Sequence, residues 1–166
     1  MVFATRFGTT EKVARSLERG LQEANLQTVC ADSQSLLPES LKDIDLLCVG
    51  GPTEIFSATK PIKEFLRSIR GFGFGGKFGF AFDTKYDSRV SGSAAKYIEH
   101  ALDDGGVRLV AGRESAIVSS RKEGGRIVGA VLKDGEERRF EELGRSLGLA
   151  TTKALGVASG TDWQQR

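Results

Sequence analysis

Six residues near the start of the chain, Thr5-Arg6-Phe7-Gly8-Thr9-Thr10, have the types and order that bind an anion. They follow a short apolar run, Val2-Phe3-Ala4, and lead into a helical pattern that begins at Glu11. A strand that ends in a Thr/Gly turn and opens a helix aims backbone N–H groups and hydroxyls at one point. The helix dipole adds positive potential there. Three hydroxyls around one glycine favour a ligand over a bare helix cap, and phosphate is the chemistry that such a turn serves.

Two further segments carry related chemistry. Gly50–Thr59 and Asp83–Ser88 each combine hydroxyls, backbone amides and one aromatic ring, Phe56 in the first and Tyr86 in the second. Hydroxyls for a phosphate and two aromatics for a flat ring suit a mononucleotide bearing a large planar group. No nucleophile and base stand at a telling spacing, so no catalytic residue is expected. His100, the only histidine, reads as a surface group on a helix, and without a second His or a nearby Cys no metal site is expected. Gly71–Gly76 matches a dinucleotide fingerprint in its letters, but it follows a helix and precedes a strand, the reverse of that device.

The elements that must position these groups alternate. Strands are expected at Val2–Ala4, Thr28–Ala31, Ile44–Val49 and Phe78–Phe82, with Val107–Val110 and Ala116–Ser119 as one long or broken fifth strand. Helices are expected after Thr9 or Thr10 as N-cap, over Lys60–Arg70 and Ser93–Leu102, and last over Glu136–Leu147. Gly124-Gly125 and Asp134-Gly135 are turn signals around a short strand at Ile127–Leu132. Such alternation predicts an α/β domain with a parallel sheet covered by helices on both faces. Ligands of open parallel sheets bind beyond the carboxyl ends of the strands, and all three polar segments follow strands. Residues 149–166, with the only tryptophan, Trp163, show no periodicity and read as a flexible tail after a domain at 1–148.

Bulk properties narrow the function. A chain of 166 residues makes one domain with a sizeable core. Its 24 basic and 22 acidic residues nearly cancel, which gives no case for nucleic acid. The longest apolar run falls far short of a membrane span. The chain enters a strand at once rather than a signal peptide, and Cys30 and Cys48 read as reduced core thiols, so a cytoplasmic location is expected.

The motifs together resemble the flavodoxins and flavodoxin-like proteins, over roughly residues 1–148. Thr5-x-x-Gly8-Thr9-Thr10 with Glu11-Lys12-Val13-Ala14 behind it is similar to that family's FMN phosphate loop. Gly51-Pro52-Thr53 is similar to its second flavin loop, and Phe82-Asp83-Thr84 followed by Gly92 to its third. Asp134-Gly135-Glu136 with Leu143-Gly144 is similar to its C-terminal signature. The resemblance implies a doubly wound five-stranded sheet of order 2-1-3-4-5. It implies FMN as cofactor, electron transfer between protein redox partners, and no membrane association. Thr5, Gly8, Thr9 and Thr10 would hold the phosphate, and Arg6 and Phe7 of the same loop would belong to the cofactor-binding set. Thr53, Glu54, Ile55 and Phe56 would flank one side of the isoalloxazine ring and Asp83, Thr84 and Tyr86 the other, with Pro52 and Lys85 also in the cofactor-binding set. Two alternatives accompany this reading: an FMN-dependent reductase of quinone-type acceptors, and a binding module that has lost flavin. The chain departs from the family at Phe7, where a hydroxyl residue usually precedes the glycine, and in a second loop without glycine at its tip. Its isoelectric point, near 8.6, also contrasts with an acidic family.

Overall fold

The apolar runs set the sheet, and the polar segments between them become its upper edge. The computed structural model describes residues 1–88 and 90–160. In chain order the elements are β1 (Val2–Phe3), α1 (Thr9–Glu23), β2 (Ala31–Asp32), a 3-10 turn (Pro38–Leu41), β3 (Leu46–Glu54) and β4 (Ser57–Ala58). There follow α2 (Lys60–Ile69), β5 (Phe78–Tyr86), α3 (Ala94–Asp104), β6 (Arg108–Leu109), β7 (Glu114–Glu123), β8 (Arg126–Leu132) and α4 (Glu136–Gly160).

The parallel sheet runs β2-β1-β3-β5-β7, the expected 2-1-3-4-5 order, with β8 added antiparallel at the edge. The fifth strand is indeed broken. β6 pairs with the start of β5 (Phe78 opposite Arg108), and β7 with its end, from Phe82 opposite Glu114 to Tyr86 opposite Val118. Period-two alternation splits the core into two layers. Cys48, Phe80 and Phe82 point toward α1 and α4 and meet Val13, Leu17, Phe140 and Leu147. Leu47, Val49 and Ala81 point toward α2 and α3 and meet Ile62, Phe65, Ile98 and Leu102. Both faces are buried, which is why the β3 and β5 sequences read as continuous apolar runs.

Helices α1 and α4 touch backbone to backbone. A Cβ on Gly20 would lie 2.0 Å from the Glu141 carbonyl oxygen, and one on Gly144 would lie 2.2 Å from that of Leu17. Ion pairs flank this seam: Arg19 Nε to Glu141 at 2.9 Å, and Arg145 to Glu23.

Several boundaries differ from those expected. β2 forms at Ala31–Asp32 rather than Thr28–Ala31, because it pairs where β1 offers a partner, Val2 opposite Ala31. β3 and β5 continue through residues read as loops, to Glu54 and Tyr86. Along most of that extension each supplies the other with a parallel partner, as far as Pro52 opposite Thr84. The helix expected to stop at Leu147 runs on to Gly160, so residues 149–160 are helical rather than an irregular tail. Leu147, Thr151 and Leu155 continue one stripe at four-residue spacing. Thr151 hides this pattern from a hydropathy reading, yet it is buried and donates its hydroxyl proton to the Leu147 carbonyl at 2.8 Å. Trp163 lies outside the described residues. No helix among the described residues is long and apolar enough to cross a membrane.

Candidate functional site

Three segments meet where β1, β3 and β5 end, around a cavity of about 470 Å3. That size falls within the range of small-molecule sites, about 300–1,000 Å3. A second cavity, about 700 Å3, lies at the opposite end of the sheet among Met1, Leu26, Leu41, Leu46 and Leu155.

The first wall is the N-terminus of α1. Its N-cap is Gly8 at φ 81°, not Thr9 or Thr10, and no side chain caps the helix. The first amides of a helix have no intrahelical acceptor. Lys12 N–H reaches the Gly8 carbonyl at 3.1 Å, but the N–H groups of Thr9, Thr10 and Glu11 meet no acceptor among the described residues. Thr5 holds the turn in shape, its Oγ1 accepting from Gly8 N–H at 3.0 Å. Arg6, Phe7 and Thr9 line the cavity.

The second wall is a two-residue hairpin. Thr53 pairs with Ala58 and Glu54 with Ser57, so Ile55 and Phe56 alone make the turn. Both adopt positive φ, 45° and 66°, as a type I′ turn demands and as Asn-Gly, not Ile-Phe, would do without strain. Such conformations cost on the order of 1–2 kcal/mol per residue. The turn holds Ile55 and Phe56 at 92% and 66% exposure beside the cavity. Behind it, Gly92 presses on the Phe56 backbone, where a Cβ would come within 2.4 Å of Phe56 Cα. Strain that places large apolar side chains in water is not repaid by burial of those side chains.

The third wall is the end of β5. Thr84, Lys85 and Tyr86 line the cavity. Thr84 also shares a hydrogen bond of 2.9 Å with Thr10 Oγ1, a buried strut between sheet and α1. Asp83 is fully buried and faces α3. One carboxylate oxygen, Oδ2, accepts from Thr53 Oγ1 (2.9 Å), Ser93 Oγ (2.8 Å) and Ala95 N–H (3.0 Å). Thr53 Oγ1 in turn accepts from Ala94 N–H at 2.8 Å. The knot fixes the start of α3 against the ends of β3 and β5.

Of the fifteen residues singled out in the sequence, the structure brings Arg6, Phe7, Thr9, Pro52, Thr53, Glu54, Ile55, Phe56, Thr84, Lys85 and Tyr86 to one cavity. Thr5, Gly8, Thr10 and Asp83 do not line it. They shape the turn, cap the helix, strut Thr84 and anchor α3. For Asp83 and Thr10 the reason is burial: at 0% exposure each spends its side chain on a protein partner. The sequence reading missed Ser91, Val118, Ile127 and Ala130, which complete the cavity. Val118 was legible as a strand residue. That β7 and β8 reach the site was not, because it depends on where β7 pairs along β5.

Charge at the rim is mixed. Arg6 spans the mouth to Glu54, 3.5 Å between Nη1 and Oε1, and lies 5.0 Å from the Phe7 ring centroid. Both partners are largely solvated, so the pair contributes little to stability.

No protein-family model and no curated protein sequence matches the chain. Solved structures do. A flavodoxin from the domain Archaea superposes with a TM-score of 0.74 at 18% identity, covering 91% of this chain and 96% of that one. The fold is flavodoxin-like. Flavodoxin 1 of Bacillus cereus gives a TM-score of 0.72 at 17% identity over 92% of this chain and 95% of its own. The rubredoxin oxygen:oxidoreductase of Desulfovibrio gigas gives 0.74 at 17% identity over 93% of this chain, and there the matched region is 36% of the longer protein. In all three the flavodoxin-like fold of this chain is matched over nearly its whole length.

Proposed function

We propose that the chain binds FMN and passes electrons between redox partners, as a flavodoxin-type carrier. One observation carries this reading: a helix N-terminus with unpartnered amides opens into the same cavity as an exposed aromatic residue on a strained turn. The first feature suits a dianionic phosphate, and the second suits the face of a flat ring.

The residues fit the group. The N–H groups of Thr9, Thr10 and Glu11 and the Thr9 hydroxyl would take the phosphate, with the positive end of the α1 dipole behind them. Thr9 Oγ1 has no hydrogen-bond partner among the described residues, and the space beside Gly8 is open for at least 4 Å. Phe7 offers no hydroxyl, so the phosphate would rely on backbone amides more than in relatives with a hydroxyl there. Phe56 would flank one side of the ring and Tyr86 the other. FMN, when bound, supplies the one- and two-electron chemistry; the protein contributes orientation, exclusion of water and electrostatics. Arg6 and Lys85 at the cavity favour an electron-rich ring, and Glu54 opposes it.

The test is a titration of the purified chain with FMN, read by quenching of flavin fluorescence. One FMN per chain with a dissociation constant below about 1 μM is expected. No saturable uptake would overturn the reading and leave a binding module without flavin.

A further inference from the structure

The top of the sheet is uneven beside the cavity. β7 pairs with β5 as far as Val118 and then continues to Glu123, an overhang of about 16 Å at the usual strand rise. β8 returns along it from Arg126. The pairing shifts between Arg121 (opposite Gly129) and Lys122 (opposite Ile127), which leaves Val128 as the bulged residue. A bulge re-aims the side chain beside it. Here Ile127 turns to the face of Ala130, and both line the cavity.

The arm is basic. Arg121, Lys122 and Arg126 crowd its tip, all exposed, with Glu123 the sole carboxylate from residue 119 to 132. None of the three cations makes an ion pair among the described residues, whereas Arg15, Arg19, Arg139 and Arg145 each grip a glutamate. Arg6, Lys85 and Lys133 extend the basic rim, against Glu54 and Asp87. Together these are six of the 24 basic residues against three of the 22 acidic ones. This group of residues therefore carries an excess of positive charge. Ile127 shares the cavity-side face of the arm with Lys122, Arg121 and Arg126 take its other face, and Ile55 and Phe56 stand exposed at the cavity.

We propose that this arm and the Ile55–Phe56 turn form a docking surface for an acidic electron-carrier protein. Exposed apolar side chains flanked by cations, of which Lys85, Arg121, Lys122 and Arg126 make no ion pair among the described residues, have the composition of a protein interface, and the excess of cations selects a partner of negative charge. A nucleic acid would want cations along a groove that follows its backbone rather than around apolar side chains. That the partner carries electrons rests on the FMN reading; that it is acidic rests on the surface alone.

The experiment measures binding of the full chain, with and without FMN, to an acidic plant-type ferredoxin. Basic cytochrome c and a single-stranded DNA oligonucleotide serve as comparison ligands, at about 0.02 M and 0.2 M salt. Ferredoxin is expected to bind at least tenfold more tightly than cytochrome c at low salt and to weaken about tenfold at the higher salt. The Arg121→Glu, Lys122→Glu, Arg126→Glu triple variant is expected to lose at least tenfold in ferredoxin affinity while its urea midpoint and FMN uptake stay unchanged. Ferredoxin binding that ignores the charge reversal, or tighter binding of cytochrome c or DNA, overturns the proposal. Salt-dependent docking of ferredoxin without FMN uptake supports the surface and defeats only the flavin reading. FMN uptake without such docking does the reverse.

Discussion

Thr53 and Asp83 stand 2.9 Å apart across the parallel pair of β3 and β5, and between them they take the first two amides of α3. A carboxylate at the end of a ligand-facing strand invites a cofactor role. Burial assigns it instead to the scaffold. Removing it leaves donors of Thr53, Ser93 and Ala95 without an acceptor, at about 1–3 kcal/mol each where buried. Asp83→Ala is therefore expected to lower stability by ~3 kcal/mol or more and Thr53→Val by ~1–2 kcal/mol, with lost flavin affinity following lost order in α3. Urea unfolding followed by circular dichroism measures both. A loss below ~1 kcal/mol for Asp83→Ala contradicts the anchoring role.

The Ile55–Phe56 turn should trade stability for function. The double variant Ile55→Asn, Phe56→Gly supplies residues that accept positive φ freely and is expected to stabilise the chain by ~1–2 kcal/mol. The same change removes the apolar contacts at the cavity and is expected to weaken FMN binding at least tenfold. A variant that is no more stable than the parent shows the turn to be unstrained.

Gly92→Ala tests the brace behind that turn. Its new Cβ collides with the Phe56 backbone, and its φ of 70° is unfavourable for alanine. Reduced FMN affinity with a modest stability loss, ~1–3 kcal/mol, is expected. Unchanged affinity would detach Phe56 from the site.

Cys48 predicts the alkaline limb of stability. Burial pushes its thiol up to about 12 from 9.0. A thiol whose pKa is raised in the folded state contributes its full stability below pH 9 and loses it as the unfolded chain ionises between pH 9 and about 12. The loss reaches at most ~4 kcal/mol. Over that range Cys48→Ala should show a shallower fall in unfolding free energy than the parent, although it starts lower because of the lost packing of the sulfur. Parallel curves for the two proteins would rule out this coupling.

Much of the fold was legible because strands buried on both faces and amphipathic helices leave strong patterns. Leu46–Val49, Phe78–Phe82 and the Ile62-Phe65-Leu66-Ile69 stripe each mark an element directly. What escaped depends on tertiary partners. The strand ends at Glu54 and Tyr86 look like loops until each is seen to pair with its neighbour. The last turns of α4 look irregular until the hydroxyl of Thr151 is seen to be satisfied within the helix. At the site, the three cavity walls were legible from hydroxyls and aromatics next to strand ends. The division of labour within them was not. Thr10 shares its residue type, and Asp83 its carboxylate, with groups that line the cavity, and only their direction removes them from it. Ile127 joins the site through a bulge, which no spacing rule announces.

In the proposed carrier, α1 offers its N-terminus to a phosphate while the two aromatics take a ring. The direct test compares FMN with riboflavin, which keeps the ring and lacks the phosphate, in parallel titrations of the same protein. FMN is expected to bind at least 100-fold more tightly, a difference of about 2.7 kcal/mol. Equal affinity for the two, or no binding of either, would contradict that assignment.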